Sequence, residues 1–218
     1  LAPLGNFPLK GIIWYQGESN AHNYSIHELA FKALVNSWRN FWKNPEMPFL
    51  FAQLSGINRP SWPAFRDSQR RLADSIGNTA MVVTSDLGDS LNVHPARKME
   101  VGQRFAWQAL QKVYGYPVMA DGPKPSEIKV RRNKVFIKFL NGKIKTSDGK
   151  PLRELEVQRK DGLFYLVEGC LKRNKVKIND CFEVRAVRYA WVPFSRGNLI
   201  NDAQLPASTF VINLKSQQ

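Results

Sequence analysis

The chain has 218 residues, 43% of them hydrophobic and 23% charged, which is enough to build a buried core in one large or two small domains. It contains neither a low-complexity tract nor an apolar run long enough to cross a bilayer, so disorder and membrane insertion are set aside. The net charge of +14 invites a nucleic-acid reading, but it is uneven: residues 1–120 hold 12 basic and 8 acidic side chains, residues 121–218 hold 20 and 10. Two cysteines, Cys170 and Cys181, are too few for a zinc site or a disulfide scaffold, and three histidines argue against a His-rich metal cluster. The chain starts at Leu1 with no leader pattern behind it, which reads as a processed chain or a fragment.

In chain order, Gly11-Ile12-Ile13-Trp14-Tyr15 is an apolar run that empties into the turn-like Gln16-Gly17-Glu18-Ser19-Asn20, the pattern of a buried strand followed by a loop. Ser25-Ile26-His27-Glu28 fits a capping box, and Leu29, Leu34, Val35, Trp38, Phe41 and Trp42 continue at helical spacing until Pro45. Pro48–Leu54 reads as a second strand, Pro63–Ile76 as a second helix, Ala80–Ser85 as a third strand and Arg97–Val113 as a third helix. This alternation predicts a mostly parallel sheet with flanking helices, its chemistry at the carboxyl ends of the strands.

Near Gly122-Pro123 the period changes. Ile128, Val130, Val135, Ile137 and Phe139 alternate with Lys129, Arg131, Lys134 and Lys138 around Arg132-Asn133, which is hairpin spacing. The same alternation returns in 175–178 and 183–191, so a boundary is expected near residue 120, with a β-rich, sandwich-like module over 121–218. The alternating cations read as the solvated side of strands. They lack the aromatic interleaving of a single-strand nucleic-acid platform, so no nucleic-acid partner is expected.

Two loops carry chemistry. Gln16 to Asn20 gathers amide, carboxylate and hydroxyl groups at a strand end, where backbone and Gln donors can stabilise an oxyanion; a capped turn has the same composition. Asp86-Leu87-Gly88-Asp89 leads through Asn92 to His94-Pro95, placing a histidine, the commonest general base, just before a helix. The bland alternative is a hydrogen-bonded loop histidine. Asp86 and Asp89 can orient an imidazole or cap the next helix, and Arg97 and Lys98 can hold an anionic substrate group or stay solvated. Trp14, Tyr15, Trp38, Phe41 and Trp42 occupy strand or helix-face positions and read as core rather than as a sugar platform.

The stretch Gly11-Ile-Ile-Trp-Tyr-Gln-Gly-Glu-Ser-Asn-Ala21 closely resembles the signature of sialate O-acetylesterases, carbohydrate esterases of the SGNH hydrolase superfamily. Asp86-Leu87-Gly88-Asp89 with His94-Pro95 and Lys98 resembles the family's histidine block, and Val187–Trp191, Asn198-Leu199 and Leu205–Ser208 are similar to its C-terminal β region. The resemblance implies an SGNH-type, flavodoxin-like α/β domain over 1–120. It also implies removal of O-acetyl groups from sialic acid or a related sugar by Ser/His acyl transfer, without metal or organic cofactor. On this likeness His94 is the base, Gln16 and Gly17 belong to the oxyanion side, and Glu18 and Asn20 shape it. Asn20, Asn92 and Arg97 are the expected sugar contacts, and the protein is expected outside the cytoplasm with no membrane partner.

The chain departs from the family pattern twice. No Gly-Gln-Ser-Asn-type nucleophile segment is found, which suggests that the serine lies in a missing N-terminal segment or another chain. Asn92 stands where many relatives have Asp, and an amide cannot offset the charge that develops on imidazole. Gly88-Asp89-Ser90-Leu91 spells the motif of a sister group but lies inside the histidine block, and Ser19 lies in the oxyanion-side motif; neither is read as the nucleophile. The competing reading is a non-catalytic carbohydrate-binding protein.

Overall fold

The computed structural model describes residues 2–5 and 7–214. Its first half contains β1 (Ile12–Trp14), α1 (Tyr24–Phe41), β2 (Phe49–Ala52), α2 (Trp62–Ser75), β3 (Thr79–Val82) and α3 (Lys98–Lys112). The three strands form a parallel sheet in the order β1-β2-β3, with Leu50 opposite both Ile13 and Ala80. Every residue of the central strand β2 is buried, as a strand covered by helices on both faces requires. Because side chains alternate along a strand, Phe49 and Phe51 pack with Phe31, Val35 and Leu72 of α1 and α2, whereas Leu50 and Ala52 pack with Val101 and Phe105 of α3.

Two local expectations are corrected. The cap of α1 is Asn23, whose Oδ1 accepts from the Ile26 amide at 3.3 Å; Glu28 does not reach back but pairs with Arg71 at 2.6 Å. The buried stripe of α1 is His27, Phe31, Val35 and Arg39, while Leu29 is 72% exposed and Phe41 also faces solvent. A helix presents one face at a spacing of three and four residues, and the stripe set by Phe31 and Val35 leaves positions 29 and 41 outside it.

The second half is all β. It contains β4 (Lys124–Arg131), β5 (Lys134–Leu140), β6 (Ile144–Thr146), β7 (Leu155–Gln158), β8 (Phe164–Leu166), β9 (Gly169–Lys172), β10 (Lys175–Ile178), β11 (Ala186–Tyr189), β12 (Leu199–Asn201) and β13 (Phe210–Asn213). Two antiparallel sheets, β4-β5-β10-β9 and β13-β11-β7-β8, share one core in which Val135, Ile137 and Val176 meet Val157, Val187 and Phe210. Arg132 and Asn133 join β4 to β5 with φ of 46° and 58°, the double left-handed geometry of a type I′ hairpin turn.

Helix α2 clamps the halves together. Arg66 is fully buried and donates through Nη2 to the carbonyls of Ala190 (3.1 Å) and Val192 (2.5 Å), and through Nη1 to that of Pro193 (3.2 Å). Burial lowers its pKa to about 10, partly opposed by the charge of Glu154. Asp67 accepts from the Val211 amide of β13 at 3.3 Å, and Gln53 donates to Ser208 Oγ at 2.7 Å.

Candidate active site

The three strands run parallel, so the loops that follow them emerge at the same end of the sheet. There they enclose an open cleft of about 440 Å³. The loop after β1 contributes Tyr15, Glu18 and Ser19, the loop after β2 contributes Arg59, the loop before α3 contributes Val93, His94 and Pro95, and α3 itself contributes its first residue, Lys98. Glu18 and His94, 76 positions apart in the sequence, therefore face one space. Gln16, Gly17, Asn20, Asn92 and Arg97 lie outside the lining of this cleft.

Close backbone packing fixes the loops. A side chain at Gly88 would overlap the backbone of Gly56, its Cβ falling 2.1 Å from the Gly56 carbonyl oxygen, so the loops after β2 and β3 touch where neither carries a side chain. The Asn58 amide donates to the Ser90 carbonyl at 3.0 Å across the same junction. Gly17 has φ of 145° and sits against Phe65, whose ring would lie 2.9 Å from a Cβ; only glycine fits under this loop without strain. Glu18 to Asn20 form a single 3₁₀ turn, and the Gln16 side-chain amide donates to Asn20 Oδ1 at 3.4 Å.

His94 is exposed, held by a short-range network of side-chain-to-backbone bonds. Asn92 Oδ1 accepts from the His94 amide at 2.9 Å, and Asp89 Oδ1 accepts from the amides of Leu91 (2.8 Å) and Asn92 (3.0 Å). These backbone bonds hold the Asp89 carboxyl below the usual carboxylate range. Asp86 forms a bidentate pair with Arg104, both contacts at 2.7 Å, and Arg104 also caps the Val83 carbonyl at 2.6 Å. Asp86 therefore fixes α3 to the end of β3, Asp89 shapes the loop, and the Asn92 amide oxygen is engaged by backbone. Among the described residues none of the three bonds to the imidazole.

The cations rearrange relative to the sequence reading. Arg97 pairs with Glu100 at 2.7 Å, whereas Lys98 turns into the cleft with its ammonium 5.2 Å from the centre of the Tyr15 ring. Arg59 stands opposite, over Trp62 at 5.4 Å. Sequence reasoning missed Arg59, although the loop after a buried parallel strand is where such a residue is to be sought. Of the other histidines, His27 is buried between Phe31 and Phe65, with ring centroids at 5.7 and 4.5 Å, and burial depresses its pKa against the raising effect of Glu28. The wider opening of about 1130 Å³ between β4 and β13 holds no histidine.

With this geometry in place, residues 3–111 match the family model described as a carbohydrate esterase, sialic acid-specific acetylesterase. The chain belongs to that family. Human sialate O-acetylesterase is 27% identical over 229 aligned positions, covering 87% of this chain and 42% of the human protein; the mouse enzyme is 28% identical, covering 87% and 40%. A carbohydrate acetylesterase from Xanthomonas citri superposes with a TM-score of 0.91 at 27% identity, over 98% of this chain and 52% of that one. The chain thus spans about two fifths of the length of the curated relatives it matches.

Proposed function

We propose that this chain forms the base-bearing part of a Ser/His O-acetylesterase acting on acetylated sialic acid or a related acidic sugar. The observation that carries the reading is the convergence of His94, Glu18, Arg59 and Lys98 on one cleft at the carboxyl end of a parallel sheet. The two cations suit a sugar that bears a carboxylate. His94 takes the proton of a serine hydroxyl as that oxygen attacks the acetyl carbonyl, and, on the family likeness, the oxyanion is received at the Gln16–Gly17 block, which lies outside the cleft lining but between Tyr15 and Glu18 that line it. The C–O bond to the sugar breaks and the sugar oxygen takes the proton from His94, leaving acetyl-serine; water, deprotonated by His94, then attacks that ester, and His94 hands the proton to the serine oxygen as acetate leaves.

We place the nucleophile outside residues 1–218, in an SGNH-type sheet that continues beyond β1. Among the described residues β1 pairs only with β2, and Ile13 on that edge is 61% exposed, an unpaired apolar edge of the kind proteins normally cover. The family likeness further suggests an extracytoplasmic protein; recovery of the mature protein from the cytosolic fraction would overturn that part.

The test is intact-mass analysis after reaction with a serine-trapping fluorophosphonate, on this chain alone and on a form extended towards the N-terminus. Labelling and acetate release only in the extended form are expected, together with a rate loss of about 10²–10⁴-fold for His94→Ala in that form. A second reading makes Ser19 the nucleophile, because it lines the same cleft as His94. Label mapped to Ser19 in the short form would establish that reading and discard ours.

A further inference from the structure

The outer face of the β4-β5-β10-β9 sheet carries a charge pattern that folding alone does not favour. One row across the strands is Glu127, Lys138, Lys175 and Lys172, each directly opposite the next. The adjacent row sets Lys129 and Lys177 on either side of Phe136, and beyond it Arg131 lies opposite Lys134. The alternate positions Val135, Ile137, Val176 and Ile178 are buried in the core, so the cations share the solvent side. Like charges directly opposite in an antiparallel sheet destabilise it. Here Lys138–Lys175, Lys175–Lys172 and Arg131–Lys134 are all such pairs, with Glu127 as the single carboxylate, engaged by Lys129 at 2.7 Å. The surrounding lysines hold that carboxyl below its usual range, led by the hydrogen bond from Lys129. The face is also concave, with a depression of about 270 Å³ over Phe136 and its neighbouring cations.

We infer that this face binds an anionic polysaccharide, with one sugar ring over Phe136 and acidic groups on the lysines that flank it. Charge complementarity sets the sign of the partner. Its class follows from Phe136: the six lysines and one arginine around it act mainly as point charges, which set the sign but not the shape of the acidic group, whereas one half-buried ring among them suits the face of a single sugar. A single half-buried aromatic also offers no series of stacking platforms for bases. The choice of a glycan over other polyanions rests in part on the acetylesterase reading. Binding itself needs neither His94 nor a nucleophile, so its test is independent of activity.

The experiment is equilibrium binding of the chain to three fluorescent glycans, polysialic acid (carboxylated), heparin (sulfated) and dextran (neutral), and to poly(dT) and phosphatidylserine vesicles. The comparison protein is the K138Q/K175Q variant, which relieves repulsion and is expected to melt no lower than the parent. The inference predicts that at least one anionic glycan binds and dextran does not, with the preferred probe identifying the acidic group. Affinity should drop about tenfold or more between about 50 and 200 mM salt, since the contacts are ionic. The double substitution should weaken binding by about tenfold with unchanged melting. Equal binding of dextran, an unaffected double variant, or tighter binding to poly(dT) or to phosphatidylserine vesicles than to either glycan would overturn it.

Discussion

Helix α2 and the loop leading into α3 are both rich in polar side chains, yet they use them in opposite ways. On α2, Arg66, Asp67 and Gln69 are buried and bond to fixed groups of other elements: Arg66 to carbonyls 124–127 positions away, Asp67 to β13, and Gln69 to both the Leu54 amide (2.9 Å) and the Ala52 carbonyl (3.1 Å) at the end of β2. In the loop, Asp89 and Asn92 are exposed and bond only to amides two or three positions along, leaving the His94 ring free of such a bond among the described residues. Long-range bonds made in a low-dielectric interior fix a framework; local turn bonds shape a loop while its outward atoms stay available to a ligand.

The sharpest way to break that contrast is to remove Arg66. Its guanidinium is the common partner of the Ala190, Val192 and Pro193 carbonyls; truncation leaves the half-buried Val192 and Pro193 carbonyls without that donor and the Ala190 carbonyl with the Thr209 hydroxyl at 3.2 Å. Arg66→Ala is expected to destabilise the chain by about 3–5 kcal/mol, read as a fall in the urea midpoint. Arg66→Lys should recover little of it, because one ammonium cannot reproduce a planar fork aimed at three carbonyls. A loss below about 1 kcal/mol for the alanine variant would mean that water enters and satisfies the carbonyls, and that α2 does not clamp the halves.

What the sequence makes legible divides along the same line. The strands and helices over 11–113 are readable because apolar runs and helical spacing are local signals, and the β4–β5 hairpin is readable from its alternation around Arg132-Asn133. The α1 cap is not, because Asn23 and Ser25 are both good caps and the choice between them depends on where the chain turns. The α2 clamp is invisible, since Arg66 and Asp67 in a polar helix read as a solvated face until partners more than 100 residues away are known. At the cleft, the two loops singled out in the sequence do meet through Glu18 and His94; the entry of Arg59, the turn of Arg97 towards Glu100 and the capture of Asp86 by Arg104 depend on packing between loops.

Gly17 lies where framework and cleft meet, buried beneath the exposed Gln16–Asn20 loop and against the Phe65 ring of α2. Gly17→Ala asks an L side chain to adopt φ of 145° and to displace that ring, which should cost about 1–3 kcal/mol. The companion variant Phe65→Leu/Gly17→Ala separates the two causes. If melting is partly restored relative to Gly17→Ala alone, the clash dominates; if the losses simply add, backbone strain does.

The smallest effect expected is a pH dependence that sharpens the contrast between a buried histidine and one exposed at the cleft. Burial against Phe31 and Phe65 keeps the His27 pKa below 6.5, with Glu28 opposing only in part. The native state thus takes up this proton at a lower pH than the unfolded chain, which does so near pH 6.5. The contribution of His27 is therefore complete above pH 6.5 and declines as pH falls through that value towards the folded pKa, at no more than about 1.4 kcal/mol per pH unit. His27→Leu abolishes this uptake, so urea midpoints of parent and variant measured from about pH 7.5 to about pH 5 should converge or cross on the acid side. Other titrating groups act on both proteins alike and cancel in the difference. Parallel curves would show that the imidazole takes up its proton as readily in the native fold as in the unfolded chain, so that the aromatic pocket does not exclude its charge.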